Sequence, residues 1–126
     1  MAAVNRAETV PKALAVLTTT DSAGQAETPA RGAVEARPAA CTQISGPVTS
    51  VHHWQSAVET GQEWQVLFKA KPDRYDALEA HPKARHGYDT TEIIATPVAW
   101  GSAAYPEWIA AETAAPPPAG PGASAP

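Results

Sequence analysis

The stretch Cys41–Trp54, with the sequence CTQISGPVTSVHHW, decides the fold of this chain. It is rich in the β-branched residues that favour strands. Gly46 and Pro47 interrupt it, and such a pair is typical of a bulge or a bend within a strand. We therefore predict one long strand from Ala39 to Trp54, bent at Gly46 and Pro47.

The residues that follow predict a pairing partner for this strand. Polar side chains and Gly61 mark Gln55–Gln62 as a hairpin region. Trp64, Val66 and Phe68 then occupy alternate positions, which predicts a strand with one apolar face.

Helices are predicted on both sides of this hairpin. Ser22 with Gln25 three positions later matches a capping box, so the first helix begins near Ala23 and ends near Arg37, before Pro38. Pro72 and Asp73 open the second helix, and Gly87 is suited to cap its C-terminus. The remaining predicted elements are a strand at Leu14–Thr20, a strand at Glu92–Trp100 and a closing helix at Ala103–Glu112.

The resulting order, β-α-β-β-α-β with a C-terminal helix, predicts an α+β fold of the ferredoxin-like, split βαβ type. Right-handed crossovers place both helices on one face of the sheet. In so small a chain, we expect a second copy of the chain to cover the other face.

Composition excludes several classes of function. The chain has 126 residues, a net charge of −4, 44% apolar residues and a single cysteine, Cys41, so it is a single globular domain without a disulfide or a multi-cysteine cage. No cluster of Lys and Arg favours nucleic acid, and no run of about 18 apolar residues predicts a membrane span. The N-terminus lacks a secretory pattern, so we expect a cytoplasmic protein. We expect a flexible N-terminus at 1–13, a folded domain at 14–112 and a disordered Pro/Ala/Gly tail at 113–126.

Residues 39–54 (AACTQISGPVTSVHHW) resemble the signature strand of the CutA family, the divalent-cation tolerance proteins. Residues 63–69 (EWQVLFK) and 86–97 (HGYDTTEIIATP) are similar to later segments of that family, and the resemblance runs without gaps from Leu14 to Glu112. It implies a ferredoxin-like homotrimer that is assembled through long β-hairpins and resembles the PII signalling proteins. It also implies a link to tolerance of copper and other divalent metals, with no enzymatic reaction.

The family's metal link makes His86 our first candidate ligand for a divalent metal, with Cu²⁺ preferred. Cys41 offers a soft sulfur ligand, and Asp89 and Glu92 offer oxygen ligands close to His86 in sequence. Structural alternatives stay open: Cys41 as a buried residue of a central strand, His86 at a helix C-terminus, and the two acids as a polar strand edge. His52 and His53 are adjacent on a predicted strand, so they point to opposite faces and cannot both bind the same ion from a single chain.

A second set of residues, Trp54, Lys69, Tyr88 and Glu92, matches positions that line the inter-subunit cleft of the family. This implies an alternative function, that of a PII-like signalling or scaffold module that binds a small anion or a protein partner in the clefts. A third alternative is a hydrolase or isomerase centred on Glu92. Because no nucleophile with an assigned base accompanies Glu92, we expect no enzyme.

Four prolines stand where the family usually has leucine or isoleucine: Pro29, Pro38, Pro82 and Pro106. Pro38 lies at a helix end, and Pro106 lies in the first turn of the closing helix, so both are tolerated. Pro29 and Pro82 fall within helices, where a proline costs about 3 kcal/mol relative to alanine. We therefore expect kinked or shortened helices and a reduced stability.

Overall fold

The computed structural model describes residues 11–83 and 92–114. Its elements, in chain order, are β1 (Leu14–Thr20), α1 (Ala23–Glu35), β2 (Cys41–Trp54), β3 (Ala57–Ala70), a 3₁₀ turn (Pro72–Arg74), α2 (Tyr75–Lys83), β4 (Ile93–Pro97) and α3 (Ala104–Thr113). The predicted order of strands and helices and the α+β class are confirmed.

The four strands form one antiparallel sheet in the order β2-β3-β1-β4. Neighbouring positions across the sheet share a face, so Val16 on β1 lies beside Phe68 on β3 and Ala95 on β4. All seven residues of β1 pair with β3, from Leu14 with Ala70 to Thr20 with Trp64. Strands β2 and β3 therefore continue together beyond the end of β1.

The main core lies between the helices and one face of the sheet. Val16, Val66 and Phe68 are buried on that face, Leu78 of α2 packs against them, and α1 contributes three buried alanines: Ala26, Ala30 and Ala33. Both helices thus cover the same face, as the crossover rule predicts. A smaller cluster beneath α3 joins Ile109 to Ala13 and Ala40.

Strand β2 bends where the sequence predicts a bend. Its register with β3 shifts between Ser45 and Val48, and the Gly46–Pro47 peptide bond is cis. Gly46 has φ +152°, and a Cβ atom there would lie 2.7 Å from Trp64 Cδ1. Only glycine fits this close approach to the indole ring.

Helix α1 begins as its capping box predicts. The Gln25 amide donates to Ser22 Oγ at 3.1 Å, and the Gln25 side chain accepts from the Asp21 amide at 3.3 Å. Pro29 is buried inside this helix, which continues past it to Glu35, so Pro29 does not end the helix. The alternative expectation, a kink at Pro29, stays a prediction. The ring of Pro29 forms part of the core, and burial of that surface offsets some of its backbone cost.

Several sequence-based expectations are corrected by the structure. The hairpin region predicted at Gln55–Gln62 is a two-residue turn at Gln55 and Ser56, and β3 begins at Ala57. Both turn residues have positive φ, 49° and 67°, a conformation that sequence rules reserve for Gly and Asn. The fourth strand is Ile93–Pro97 and is shorter than predicted.

The structure describes the inner ends of the two segments that the sequence predicts to be flexible. Ala13 is buried under α3, and Thr113 is the buried last residue of α3, where its hydroxyl donates to the Ile109 carbonyl at 2.7 Å. The rest of the predicted tails, 1–10 and 115–126, lies outside the described residues, as does Gly87.

Candidate functional site

The structure describes four of the predicted site residues: Cys41, Trp54, Lys69 and Glu92. The other three, His86, Tyr88 and Asp89, lie outside the described residues. Their predicted roles as metal ligands or cleft residues therefore stay predictions.

Cys41, Lys69 and Tyr105 form a group that we call the thiol cluster. Cys41 begins β2, pairs directly with Lys69 of β3 and is half-buried. The Cys41 sulfur lies 3.4 Å from the Tyr105 hydroxyl, and Lys69 Nζ lies 5.9 Å from the centre of the Tyr105 ring. Strand β2 is an edge strand, so the expectation of a buried thiol on a central strand is wrong.

Electrostatics in the thiol cluster oppose a simple cation site. The hydrogen bond with Cys41 is the main cause that raises the pKa of Tyr105, and burial and the charge of a Cys41 thiolate act in the same direction. Lys69 places an ammonium group over the same ring. A divalent cation bound to Cys41 would be repelled by this ammonium group, which instead favours an anion.

Tyr105 was not among the predicted site residues. It reaches the sheet because Ile109, one turn later on α3, anchors that helix in the smaller core. On its other side, its ring stacks on Trp108 at a centroid distance of 5.7 Å. The spacing of Tyr105, Trp108 and Ile109 places the three side chains on one side of a helix, but it does not predict that Tyr105 meets Cys41.

Glu92 lies far from Cys41 within one chain. It precedes β4, and its backbone carbonyl accepts from Thr18 Oγ1 at 2.7 Å. Across the sheet, three strand spacings of about 4.8 Å separate the two positions, and along the strand four residues of about 3.3 Å separate them. These two perpendicular displacements combine to a distance of about 20 Å. The two residues therefore cannot bind the same ion from a single chain.

No group of three His, Cys, Asp or Glu side chains that could hold a metal ion occurs within residues 11–83 and 92–114. Of the four predicted ligands, the structure describes Cys41 and Glu92, and it does not bring these two together within one chain. No helix in these ranges is long and apolar enough to cross a bilayer.

The paired strands beyond β1, Val48–Trp54 with Ala57–Glu63, form a projection that we call the hairpin arm. Trp54 lies at its tip and is 55% exposed, and Val51 and Val58 are about two-thirds exposed. His52 and His53 are consecutive residues of β2, as predicted; His52 pairs with Glu59 and His53 with Val58.

The sheet face opposite α1 and α2, which we call the open face, carries a group of three neighbouring apolar side chains on β1, β3 and β4. Leu17 and Leu67 pair across it and are half-buried, and Ile94 beside Leu17 is 55% exposed. Exposed apolar patches of this kind mark interaction sites in soluble proteins.

Comparison with known proteins places this architecture in one family. The profile of the CutA1 divalent ion tolerance protein family matches residues 14–112. The divalent-cation tolerance protein CutA of Thermus thermophilus is 38% identical over 98 residues, which cover 78% of this chain and 95% of the relative.

Solved structures give the same result. The Cut A1 structure from Thermus thermophilus has a TM-score of 0.78 at 36% identity. The match covers 81% of this chain and 99% of the Thermus chain. CutA from Xylella fastidiosa has a TM-score of 0.79 at 31% identity, and the match covers 82% of this chain and 99% of the Xylella chain. The chain therefore belongs to the CutA1 divalent ion tolerance family.

Proposed function

We propose that this protein binds divalent metal, with copper preferred, and contributes to metal tolerance without catalysing a reaction. The family match over residues 14–112, with relatives named for divalent-cation tolerance, carries this proposal. The protein works as a homotrimer of ferredoxin-like subunits. The order β2-β3-β1-β4 in a βαββαβ chain supports the ferredoxin-like description.

Exposed apolar side chains support the assembly. Ile94 on the open face and Val51, Trp54 and Val58 on the hairpin arm are each more than half exposed. Removing such side chains from water on association contributes roughly 25 cal/mol for each Å² of apolar surface. Sister copies cover the open face and contact the face of the arm that carries Val51 and Val58.

The metal ligands that we propose are His86 first, with Asp89, Glu92 and Cys41 as weaker candidates; Cys41 is the weakest of these, because the ammonium group of Lys69 opposes a cation beside it. Because Cys41 and Glu92 lie about 20 Å apart in one chain, they meet at one ion only if different subunits supply them. A site shared between subunits links metal binding to assembly.

Calorimetric titration of the full chain with Cu²⁺ tests this function. We expect binding by the wild type, and we expect His86→Ala to weaken it at least tenfold, because removal of even an outer-sphere partner of a ligand costs 10–100-fold. Cys41→Ser and Glu92→Gln test the weaker candidates in the same way. Absence of Cu²⁺ binding by the wild type contradicts the proposal, and an unchanged affinity in His86→Ala removes that residue.

The thiol cluster favours a second candidate function, a PII-like module that binds a small anion at an inter-subunit cleft. Lys69 supplies the cation for such a ligand, and Tyr105 supplies a hydroxyl and an aromatic face. Trp54, Tyr88 and Glu92 belong to the same proposed cleft. Thermal-shift measurements with small phosphates and carboxylates, with and without a chelator, separate the two functions, because only the metal-binding function is abolished by the chelator.

A further inference from the structure

The hairpin arm differs from the rest of the chain in its charges. No lysine or arginine occurs between Arg37 and Lys69. The arm carries the carboxylates of Glu59 and Glu63 and two imidazoles. An acidic projection without competing ammonium or guanidinium groups attracts a cation.

Strand register brings an imidazole and a carboxylate together on this arm. The two-residue turn at Gln55 and Ser56 sets the pairing, and His52 lies directly opposite Glu59. Directly opposed side chains share a face, with Cβ atoms about 4.5–5.5 Å apart. Two ligands of one tetrahedral ion, each at about 2.1 Å, lie about 3.4 Å from each other, which this separation allows.

Both side chains are available for a ligand, because they lie on the face of the arm opposite Val51 and Val58. His52 and Glu59 are exposed, and neither forms an ion pair with another residue of the described ranges. The other carboxylate of the arm is engaged, because Glu63 accepts a hydrogen bond from the Ser50 hydroxyl. The His52–Glu59 pair therefore has a carboxylate free to bind a ligand, whereas the carboxylate of Glu63 already accepts a hydrogen bond.

The surroundings leave room for a hydrated ion. Gly61 is the next residue of β3 on the same face, and a Cβ atom placed there meets nothing within 4 Å. Lys69, which opposes a cation in the thiol cluster, lies ten residues from Glu59 along β3. At about 3.3 Å per residue, its position is about 33 Å away.

We propose that His52 and Glu59 form a divalent-cation site on the hairpin arm, separate from the site that includes His86. Imidazole nitrogen with carboxylate oxygen suits Cu²⁺ and Zn²⁺, and water completes the coordination. This inference rests on the proposed metal-binding function and gives it a second set of ligands.

The test uses the full chain and Cu²⁺ as the probe, followed by calorimetry and by electron paramagnetic resonance, which reports nitrogen ligands directly. We expect His52→Gln and Glu59→Gln each to weaken binding at the arm at least tenfold and to remove one class of bound Cu²⁺. His53→Gln is the matched control, because this neighbouring imidazole points to the opposite face and pairs with Val58. We expect the control to leave the affinity within twofold of the wild type.

Each outcome separates this inference from the proposed function. If the wild type binds Cu²⁺ and both arm variants bind it equally well, the arm site is wrong and the metal-binding function stands. If His53→Gln weakens binding as much as His52→Gln, the facing pair is not the site. If the wild type binds no Cu²⁺, both proposals fail. Circular dichroism of each variant checks that the fold is retained.

Discussion

The thiol cluster and the hairpin arm lie at opposite ends of the same two strands, and they differ in packing and in charge. At the cluster, Cys41 is half-buried, Tyr105 of α3 lies against it, and Lys69 brings a positive charge. On the arm, His52 and Glu59 are exposed and no lysine or arginine is near in sequence. One pair of strands thus presents an anion-favouring end and a cation-favouring end.

This difference shows that the type of ligand atom alone does not identify a metal site. Cys41 is the softest candidate ligand in the chain, but an ammonium group lies beside its partner Tyr105. His52 and Glu59 are ordinary surface residues until their pairing is known. Charge and register therefore decide between sites that look equal in a list of residue types.

The largest expected effect lies at the bend that separates the arm from the packed part of β2. Gly46→Ala places a Cβ atom 2.7 and 2.9 Å from two ring carbons of Trp64. We expect it to lower the free energy of unfolding by about 3 kcal/mol, from overpacking and the positive φ. Gly61→Ala on the arm is the control and should cost nothing, since no atom lies near its Cβ position. Urea denaturation of both variants measures the difference, and equal stabilities would show that the bend does not depend on glycine.

A stabilising change is expected on the helix side of the packed region. Pro29→Ala restores a helical N–H and relieves a backbone cost of about 3 kcal/mol. It also removes two buried methylenes, at about 0.8 kcal/mol each, so the net gain is about 1.5 kcal/mol. Pro106→Ala is the control, because Pro106 lies in the first turn of α3, where no helical hydrogen bond is lost. Thermal unfolding compares the two, and a destabilised Pro29→Ala would mean that ring packing outweighs the backbone cost.

The tip of the arm offers a smaller gain. Ser56 has φ 67° in the two-residue turn. Ser56→Gly relieves this left-handed conformation, and we expect stabilisation by about 1 kcal/mol. Thr60→Gly, in the extended part of β3, should instead destabilise the arm. Hydrogen exchange of the arm amides measures both changes, and a loss of protection in Ser56→Gly would contradict the turn geometry.

The smallest effect concerns alkaline pH at the thiol cluster. The pKa of Tyr105 is raised above its usual value of 10.0, first by the hydrogen bond with Cys41. The native state therefore favours the neutral phenol, and its contribution to stability is complete below pH 10 and is lost as the pH rises through the native pKa. Cys41→Ala should lower the Tyr105 pKa toward 10.0, as followed by phenolate absorbance. Tyr75, whose pKa is raised chiefly by its hydrogen bond with Glu79, should titrate as before.

Most of the fold could be predicted because its signals are local. The capping residues Ser22 and Gln25 define the start of α1, and alternation at Val66 and Phe68 identifies β3. The turn at Gln55 and Ser56 could not be predicted, because neither residue type usually adopts a positive φ. Because the length of the turn sets the register of the two strands, the pairing of His52 with Glu59 could not be predicted either.

The candidate site was less predictable than the fold because its contacts join distant parts of the chain. Cys41 and Tyr105 are 64 residues apart, and α3 brings them together by burying Ile109. Cys41 and Glu92 looked compatible as ligands, yet they lie on opposite edges of the sheet. Residue type predicts which atoms can bind an ion, whereas strand order decides which of them meet.

The mass of the protein in solution tests the central claim, that sister copies cover the open face and contact the hairpin arm. Size-exclusion chromatography with light scattering on the full chain should give about three times the chain mass of 13.1 kDa. A mass of one chain at the same concentration would contradict the account, because Leu17, Leu67 and Ile94 would then face water without a partner.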